Sequence, residues 1–505
     1  MTPWIRPVSL LAAALLLAGC NSADQPTAGP RAGEDGTLEY GNLSFKPCSL
    51  SAVGAESVEA QCTTLSVPEN HDAPEGRHID LAIALVPAKG MAEADPIYMI
   101  AGGPGQSAIE SYPMVHAAFG DVRRNRHVVL VDARGTGGSH PLKCRDDDGK
   151  NTFGDPATET PDAARTFAEQ CRDTLSKDSD LRYYTTGDHV RDLDAVRAAL
   201  GAPQINLVGI SYGTRVAQQY AKAYPAQTRA VVLDSVVPNT LVLGQDHARN
   251  LEVALEQQFA LCRKDAACAR NLGDPGQQLA LVRERLQAGN LAPVRFRDPT
   301  SGEWREEVPS FAHLAGLLRM YSYQPQMAST LPLVLHEAAQ QRYESLLSQS
   351  AMLAAQLGDA FAHGMQLSVM CSEDADEFTS NREDSDTVLG NALVDFAKAQ
   401  CAVWPKGQRA ADFRAPLSGD AAVLAISGEF DPVTPSRYGD EVIAQLPKGR
   451  HLVLPGQGHS VLGTGCMPKL FAQFIESADA ATLDAQCLQR LSAQPPFAGN
   501  YGWEP

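Results

Sequence analysis

The sequence predicts an α/β fold, with a mostly parallel central sheet, helices on both faces, and one large helical cap inserted in the middle. Three observations carry this expectation. The run 127–132 is continuously apolar, as in a strand covered on both faces, and 97–101, 205–209, 230–234 and 422–427 read as further strands. Helical spacing at 188–200 and 213–224 alternates with them, which is the rhythm of parallel strands joined by crossover helices. The stretch 240–419 then shows helix-like runs at 251–262, 277–287, 311–321 and 329–357, with few strand signals. It is far too long to be a loop.

Taken in order, the chain opens with an address. Arg6 supplies a positive start and residues 8–17 a short apolar run, too short to span a bilayer as a mature helix. The run ends in Leu17-Ala18-Gly19-Cys20, which resembles the bacterial lipobox, so residues 1–20 read as a lipoprotein signal with Cys20 as the lipidated residue. Asn21 after the cysteine, in place of Asp, favours the outer membrane over the inner one in enteric-type sorting. The following Pro-, Gly- and Ala-rich stretch suggests a flexible tether over 21–40. The first part of the core is expected at 41–239, with strands at 79–86 and at the runs named above. The cap occupies 240–419. The second part of the core occupies 420–505, with strands at 422–427 and 451–454, a helix at 468–477 and a C-terminal tail.

Composition narrows the function. The 505 residues carry 42 basic and 60 acidic side chains, a net charge of −18, which disfavours binding to nucleic acid through general electrostatics. The acidic residues are dispersed, as on a solubilising surface. Of eleven cysteines, ten remain once Cys20 is set aside, and export to an oxidising compartment follows. They fall in near pairs, so proximity suggests Cys48–Cys62, Cys144–Cys171, Cys262–Cys268, Cys371–Cys401 and Cys466–Cys487. No C-x-x-C, H-E-x-x-H or P-loop pattern occurs, and the sequence calls for no metal and no cofactor.

The chemistry gathers at three strand ends. Gly209-Ile210-Ser211-Tyr212-Gly213 lies between a strand and a helix, the setting in which G-x-S-x-G forms a nucleophile elbow. After the cap come Gly428-Glu429-Phe430-Asp431-Pro432 and Gly456-Gln457-Gly458-His459, giving the chain order Ser, Asp, His. A serine hydroxyl is a poor nucleophile until a base takes its proton. His459 can do that, and Asp431 can orient the imidazole and stabilise its charged form. Glu429 and Asp234 are rival acids, and Asp431 before Pro432 would also suit a turn. The Tyr212 N–H is one candidate oxyanion donor. Gly103, in the Gly102-Gly103-Pro104-Gly105 loop, offers the second. Asp132 and Arg134 read as structural, through an ion pair or a turn.

Together Gly-Gly-Pro-Gly, Asp132-Ala133-Arg134-Gly135-Thr136-Gly137, Gly-Ile-Ser-Tyr-Gly, Gly-Glu-Phe-Asp-Pro and Gly-x-Gly-His resemble the proline iminopeptidase and tripeptidyl aminopeptidase branch of the α/β-hydrolases. The resemblance covers nearly the whole mature chain. It implies a serine exopeptidase removing residues or short peptides from free N-termini, with Ser211, Asp431 and His459 as its triad and peptides as its partners. Ala101 departs from the family, where His often precedes Gly-Gly-Pro-Gly. An aminopeptidase needs a carboxylate for the substrate's ammonium group, and the resemblance points to Glu373 in the Cys371-Ser372-Glu373-Asp374 stretch of the cap. A solvated acidic patch would explain the same residues. Two other functions fit less well: a carboxylesterase or lipase of the same fold at the cell envelope, and a non-catalytic peptide-binding lipoprotein.

Overall fold

A computed structural model of the chain describes residues 1, 29–33, 36–145, 160–357 and 360–498. Cys20 and the signal lie outside the described residues.

Among the described residues, eleven strands form one sheet. In chain order they are β1 (Arg31–Ala32), β2 (Leu38–Tyr40), β3 (Leu43–Leu50), β4 (Val58–Pro68), β5 (His78–Val86), β6 (Ile97–Ile100), β7 (Val128–Val131), β8 (Ile205–Ile210) and β9 (Thr228–Asp234), then, beyond a separate hairpin of β10 (Val294–Arg297) and β11 (Trp304–Glu307), β12 (Ala422–Gly428) and β13 (Gly449–Leu454). Their spatial order is β1-β2-β3-β4-β5-β7-β6-β8-β9-β12-β13. The strands from β7 to β13 in that order run parallel, and those from β1 to β5 add an antiparallel wing. Strand order reverses around β6, which lies between β7 and β8. The loops leaving β6 and β8 therefore meet at the carboxyl edge, where ligands bind in open sheets of this kind.

Side chains alternate between two cores, as the two-residue period of a strand requires. Tyr98, Val129, Leu207, Val231 and Val423 face one layer of helices, which includes Thr186–Leu200 and Tyr212–Ala223. Met99, Leu130, Val208, Val232 and Leu424 face the other, which includes Ala108–Val115 and Met467–Ser477. A third apolar cluster, built from Leu251, Leu255, Leu314, Leu318, Leu335 and Leu346, belongs to the inserted helices.

The structure departs from several expectations. The stretch expected as a tether is folded at its end: Leu38–Tyr40 pairs with β3, and Tyr40 is buried. The inserted region contains the β10–β11 hairpin, whose alternating charged residues hid its strand character. The run 329–357 is two helices, Leu331–Ala339 and Glu344–Leu357, parted where Gln341 takes φ +64°. Finally, the helices His363–Glu373 and Ala392–Cys401 pack into the sheet's own core through Met365, Val369, Val394 and Ala397, away from the inserted helices' cluster.

Among the described residues, five disulfides join Cys48 to Cys62, Cys144 to Cys171, Cys262 to Cys268, Cys371 to Cys401 and Cys466 to Cys487. They brace the antiparallel wing, the helical layer, the inserted helices and the C-terminal segment separately.

Candidate active site

Ser211 sits at the sharp turn between β8 and the helix Tyr212–Ala223, with φ +56° and ψ −123°. That conformation is costly for a residue with a side chain and is a mark of nucleophile elbows. The two glycines of the motif have a packing reason. A Cβ on Gly209 would come within 2.4 Å of the Gly213 carbonyl oxygen, and one on Gly213 within 2.3 Å of the Ile100 carbonyl oxygen. Only glycine lets strand, turn and helix close this tightly against β6. Gly102, on the loop leaving β6, lies against the Ser211 turn, since a Cβ there would sit 3.0 Å from Ser211 Cβ. Gly102, Gly105 and Gln106 line one small cavity together with Tyr212. The Tyr212 N–H belongs to the first turn of its helix, whose amides have no carbonyl partner within the helix.

His459 and Asp431 meet on the neighbouring strand ends. His459 Nδ1 is 2.8 Å from Asp431 Oδ2, and both residues are buried. Asp431 Oδ1 accepts from the N–H groups of Val433 (2.9 Å) and Thr434 (2.8 Å), and Oδ2 also accepts from Thr434 Oγ1 (2.8 Å). Every acceptor position is thus used to aim the carboxylate. Burial penalises the Asp431 charge, yet His459 and the donated hydrogen bonds hold its carboxyl below the usual range. Burial likewise opposes an imidazolium at His459, and the Asp431 carboxylate outweighs it, raising His459 above its ordinary value.

A second carboxylate ties the elbow to the histidine loop. Ser211 N–H donates to the Asp234 carbonyl (2.8 Å), while the Asp234 carboxylate accepts from Val461 N–H and Leu462 N–H (2.9 Å each). Ser235 Oγ accepts from Ser460 N–H (2.8 Å). The residues following His459 are therefore fastened to the strand end that holds Ser211. Burial, partly offset by these two N–H groups, pushes the Asp234 carboxyl up to about 6. The inserted helices hold the same loop from above. His459 N–H donates to the Tyr323 carbonyl (2.8 Å), and the Tyr323 ring meets the imidazole edge-on at 5.0 Å. Gly458 is required there, because a Cβ would approach the Tyr323 oxygen to 2.2 Å.

The rival acids have other work. Asp234 spends its carboxylate on backbone N–H groups, and Glu429 Oε2 accepts from Gly456 N–H (2.8 Å). Asp132 and Arg134 do not pair with each other. Asp132 takes the Ser107 hydroxyl and the N–H groups of Ile109 and Gly138, fixing the helix that follows the glycine loop. Arg134 is fully buried and grips both oxygens of Asp192 at 2.6 Å.

A look-alike triad shows why geometry must be read with access. His451 joins Ser427 Oγ (3.0 Å) to Asp440 (2.8 Å). Ser427 is fully buried inside β12 and has no elbow, so this trio is a structural brace.

Glu373 requires a correction. It was expected on the insertion, facing the ammonium group of a substrate. It is 1% exposed, at the end of a helix in the sheet's core, and both its oxygens are occupied by Thr186: Oε1 by the N–H (2.6 Å) and Oε2 by the hydroxyl (2.8 Å). The cause is the packing of His363–Glu373 into the core, which no local pattern announces.

Sequence reasoning also missed Thr186 and Tyr323 as neighbours of the site. Thr186 had no signal beyond a helix start, and Tyr323 reaches His459 only through the docking of the inserted helices.

Similarity to known proteins agrees with the fold. A family model described as the alpha/beta hydrolase fold matches residues 95–465. The chain is 26% identical to the serine protease Hip1 of Mycobacterium tuberculosis, over 95% of this chain and 96% of that protein. It is 24% identical to a tripeptidyl aminopeptidase of Streptomyces coelicolor, over 86% and 84% respectively. A carboxylesterase B of Mycobacterium tuberculosis is 28% identical, over 87% of this chain and 90% of its own length.

Proposed function

The chain belongs to the α/β-hydrolase fold family, and within it we propose a serine exopeptidase that removes single residues or short di- and tripeptides from free N-termini. The observation that carries this is the buried 2.8 Å contact between His459 Nδ1 and Asp431 Oδ2, on a loop fastened to the strand end beside Ser211. With Nδ1 engaged, Nε2 is left to act as the base. The relatives named serine protease and tripeptidyl aminopeptidase support a serine hydrolase acting on peptides.

In this reading Ser211 Oγ attacks the scissile carbonyl as its proton passes to His459 Nε2. The oxyanion is met by the N–H groups of Tyr212 and Gly103. His459 then gives the proton to the departing amine, the C–N bond breaks, and an acyl-enzyme remains on Ser211. Water, deprotonated by the same imidazole, releases the acyl product and restores the serine. No metal or cofactor enters any of these steps.

A carboxylesterase is the second reading. It is favoured by the carboxylesterase relative and by the occupation of Glu373, which leaves the substrate's ammonium group without that anchor. A matched substrate set separates the two: free and N-acetylated mono-, di- and tripeptidyl chromogenic amides, and a short-chain ester. Cleavage of free but not acetylated amides establishes the exopeptidase. Ester cleavage alone, indifferent to a free amine, overturns it in favour of the esterase.

We further propose export and lipidation at Cys20, which would anchor the enzyme in the bacterial cell envelope, at the outer membrane or periplasm in preference to the inner membrane. Five disulfides suit an oxidising compartment. No helix among the described residues is long and apolar enough to cross a membrane.

A further inference from the structure

Directly behind the nucleophile turn lies a buried chain of hydrogen bonds that the catalytic steps above do not use. The Tyr212 hydroxyl is 2.6 Å from Thr186 Oγ1, and Thr186 Oγ1 is 2.8 Å from Glu373 Oε2. Glu373 Oε1 accepts from the Thr186 N–H, so the carboxylate grips the first turn of the helix Thr186–Leu200 with both oxygens. All three residues are buried. The far end of the chain is itself anchored. The Glu373 carbonyl accepts from Arg409 and from Arg414 (3.0 Å), and Cys371, two residues earlier, is cross-linked to Cys401.

We infer that Glu373 is a positioning residue for the reaction: through Thr186 it fixes the Tyr212 side chain, and with it the Tyr212 N–H beside Ser211. The inference rests on reading Ser211 as the nucleophile. Tyr212 is the residue next to the nucleophile, so a shift of its ring moves the donor that must meet the oxyanion, and small displacements of such donors are costly.

The chain has a direction set by charge. An ionised carboxylate only accepts, so the Thr186 hydroxyl points to Glu373, and its remaining lone pair receives the Tyr212 hydroxyl. A protonated Glu373 can donate instead, reversing both bonds. Burial raises the Glu373 carboxyl to about 7, with the Arg215 guanidinium opposing and Asp374 adding to the rise. The charged and titratable groups around it are Tyr212 and Arg215 on the nucleophile's helix, Asp374 on its own segment, and Arg409 and Arg414 from the loop that follows Ala392–Cys401. The chain therefore changes direction near neutral pH.

The test needs no knowledge of the substrate. The full-length protein and its variants are treated with a fluorophosphonate, which forms a tetrahedral adduct at an activated serine, and the labelling rate is followed against pH, with thermal melts alongside. Glu373→Gln, Thr186→Val and Tyr212→Phe are each expected to slow labelling about 10- to 100-fold, less than the ~10²–10³-fold of deleting an oxyanion donor. Thr186→Ser, which keeps the hydroxyl, should label like wild type. Residues acting as one unit are not additive, so Glu373→Gln combined with Tyr212→Phe should label no more slowly than the slower single variant. Beside the fall that His459 sets, the wild-type pH profile should show a second step near 7; Glu373→Gln removes only that second step and leaves the His459 fall in place. Tyr212→Phe keeps the ring and the packing, so it remains informative if Glu373→Gln does not fold. Folded single variants that label at the wild-type rate with an unchanged profile overturn the inference alone, as does a double variant whose losses multiply. A wild type that does not label at Ser211 overturns the underlying reading, and the inference with it.

Discussion

At Ser211 the backbone is bent to φ +56° while its amide is spent on Asp234, so the turn holds a strained serine in place rather than merely exposing it. Ser211→Ala and His459→Ala should each abolish hydrolysis with unchanged circular dichroism. The raised His459 value fixes the sign of the pH dependence. An imidazolium cannot accept the serine proton, so activity should fall as pH drops through a value above the ordinary histidine range. Replacing Asp431 with Asn should move that fall to lower pH and cut kcat sharply. Glu373 carries a separate sign. Its carboxyl is raised from 4.5 to about 7 in the folded chain, so its contribution to stability is full below pH 4.5 and lost as pH rises through 7. Glu373→Gln should flatten the melting temperature across that window. Asp431 was distinguishable from Asp234 and Glu429 only through its partners: all three lie at strand ends, and only Asp431 aims at an imidazole.

Among the elements, five of the six parallel strands were legible because burial on both faces leaves a nearly continuous apolar run that few other structures produce, while the edge strand β13 showed only its short apolar end. The antiparallel strands β3 and β4 were not, since the exposed Lys46 and Glu59 and the half-buried Gln61 dilute the pattern. The helix Phe311–Tyr321 was legible in full, with an N-cap at Ser310 and a stripe of Leu314, Leu317 and Leu318. Illegible from local sequence was which core each inserted helix would join, and that is why Glu373 was misplaced. Two predictions belong to this scale. Gly458→Ala forces a methyl group against the Tyr323 carbonyl, so it should cost about 1–3 kcal/mol and lower kcat by pushing His459 off its mark. Removing Cys371–Cys401, which closes a separation of 30 residues, should cost about 3–4 kcal/mol in a denaturant titration, provided the reduced chain unfolds fully.

Over the whole molecule, the sheet brings residues far apart in sequence to one edge, and the inserted helices close over them through Tyr323. Motif order and spacing made that edge readable. The hydrogen bonds of Asp234 and Ser235 to the histidine loop were not readable, because they join residues 225, 227 and 228 positions apart without any motif. The proposed anchor is testable at the same scale: Cys20→Ala should release the protein from the membrane fraction while leaving its specific activity unchanged. The central claim is that Ser211 is the activated nucleophile of this edge. It is tested most directly by fluorophosphonate labelling of the full-length protein, with the adduct located by mass spectrometry. A single adduct on Ser211, absent in His459→Ala, is the expected result. Labelling at another serine, or no labelling of the folded protein, would contradict the account.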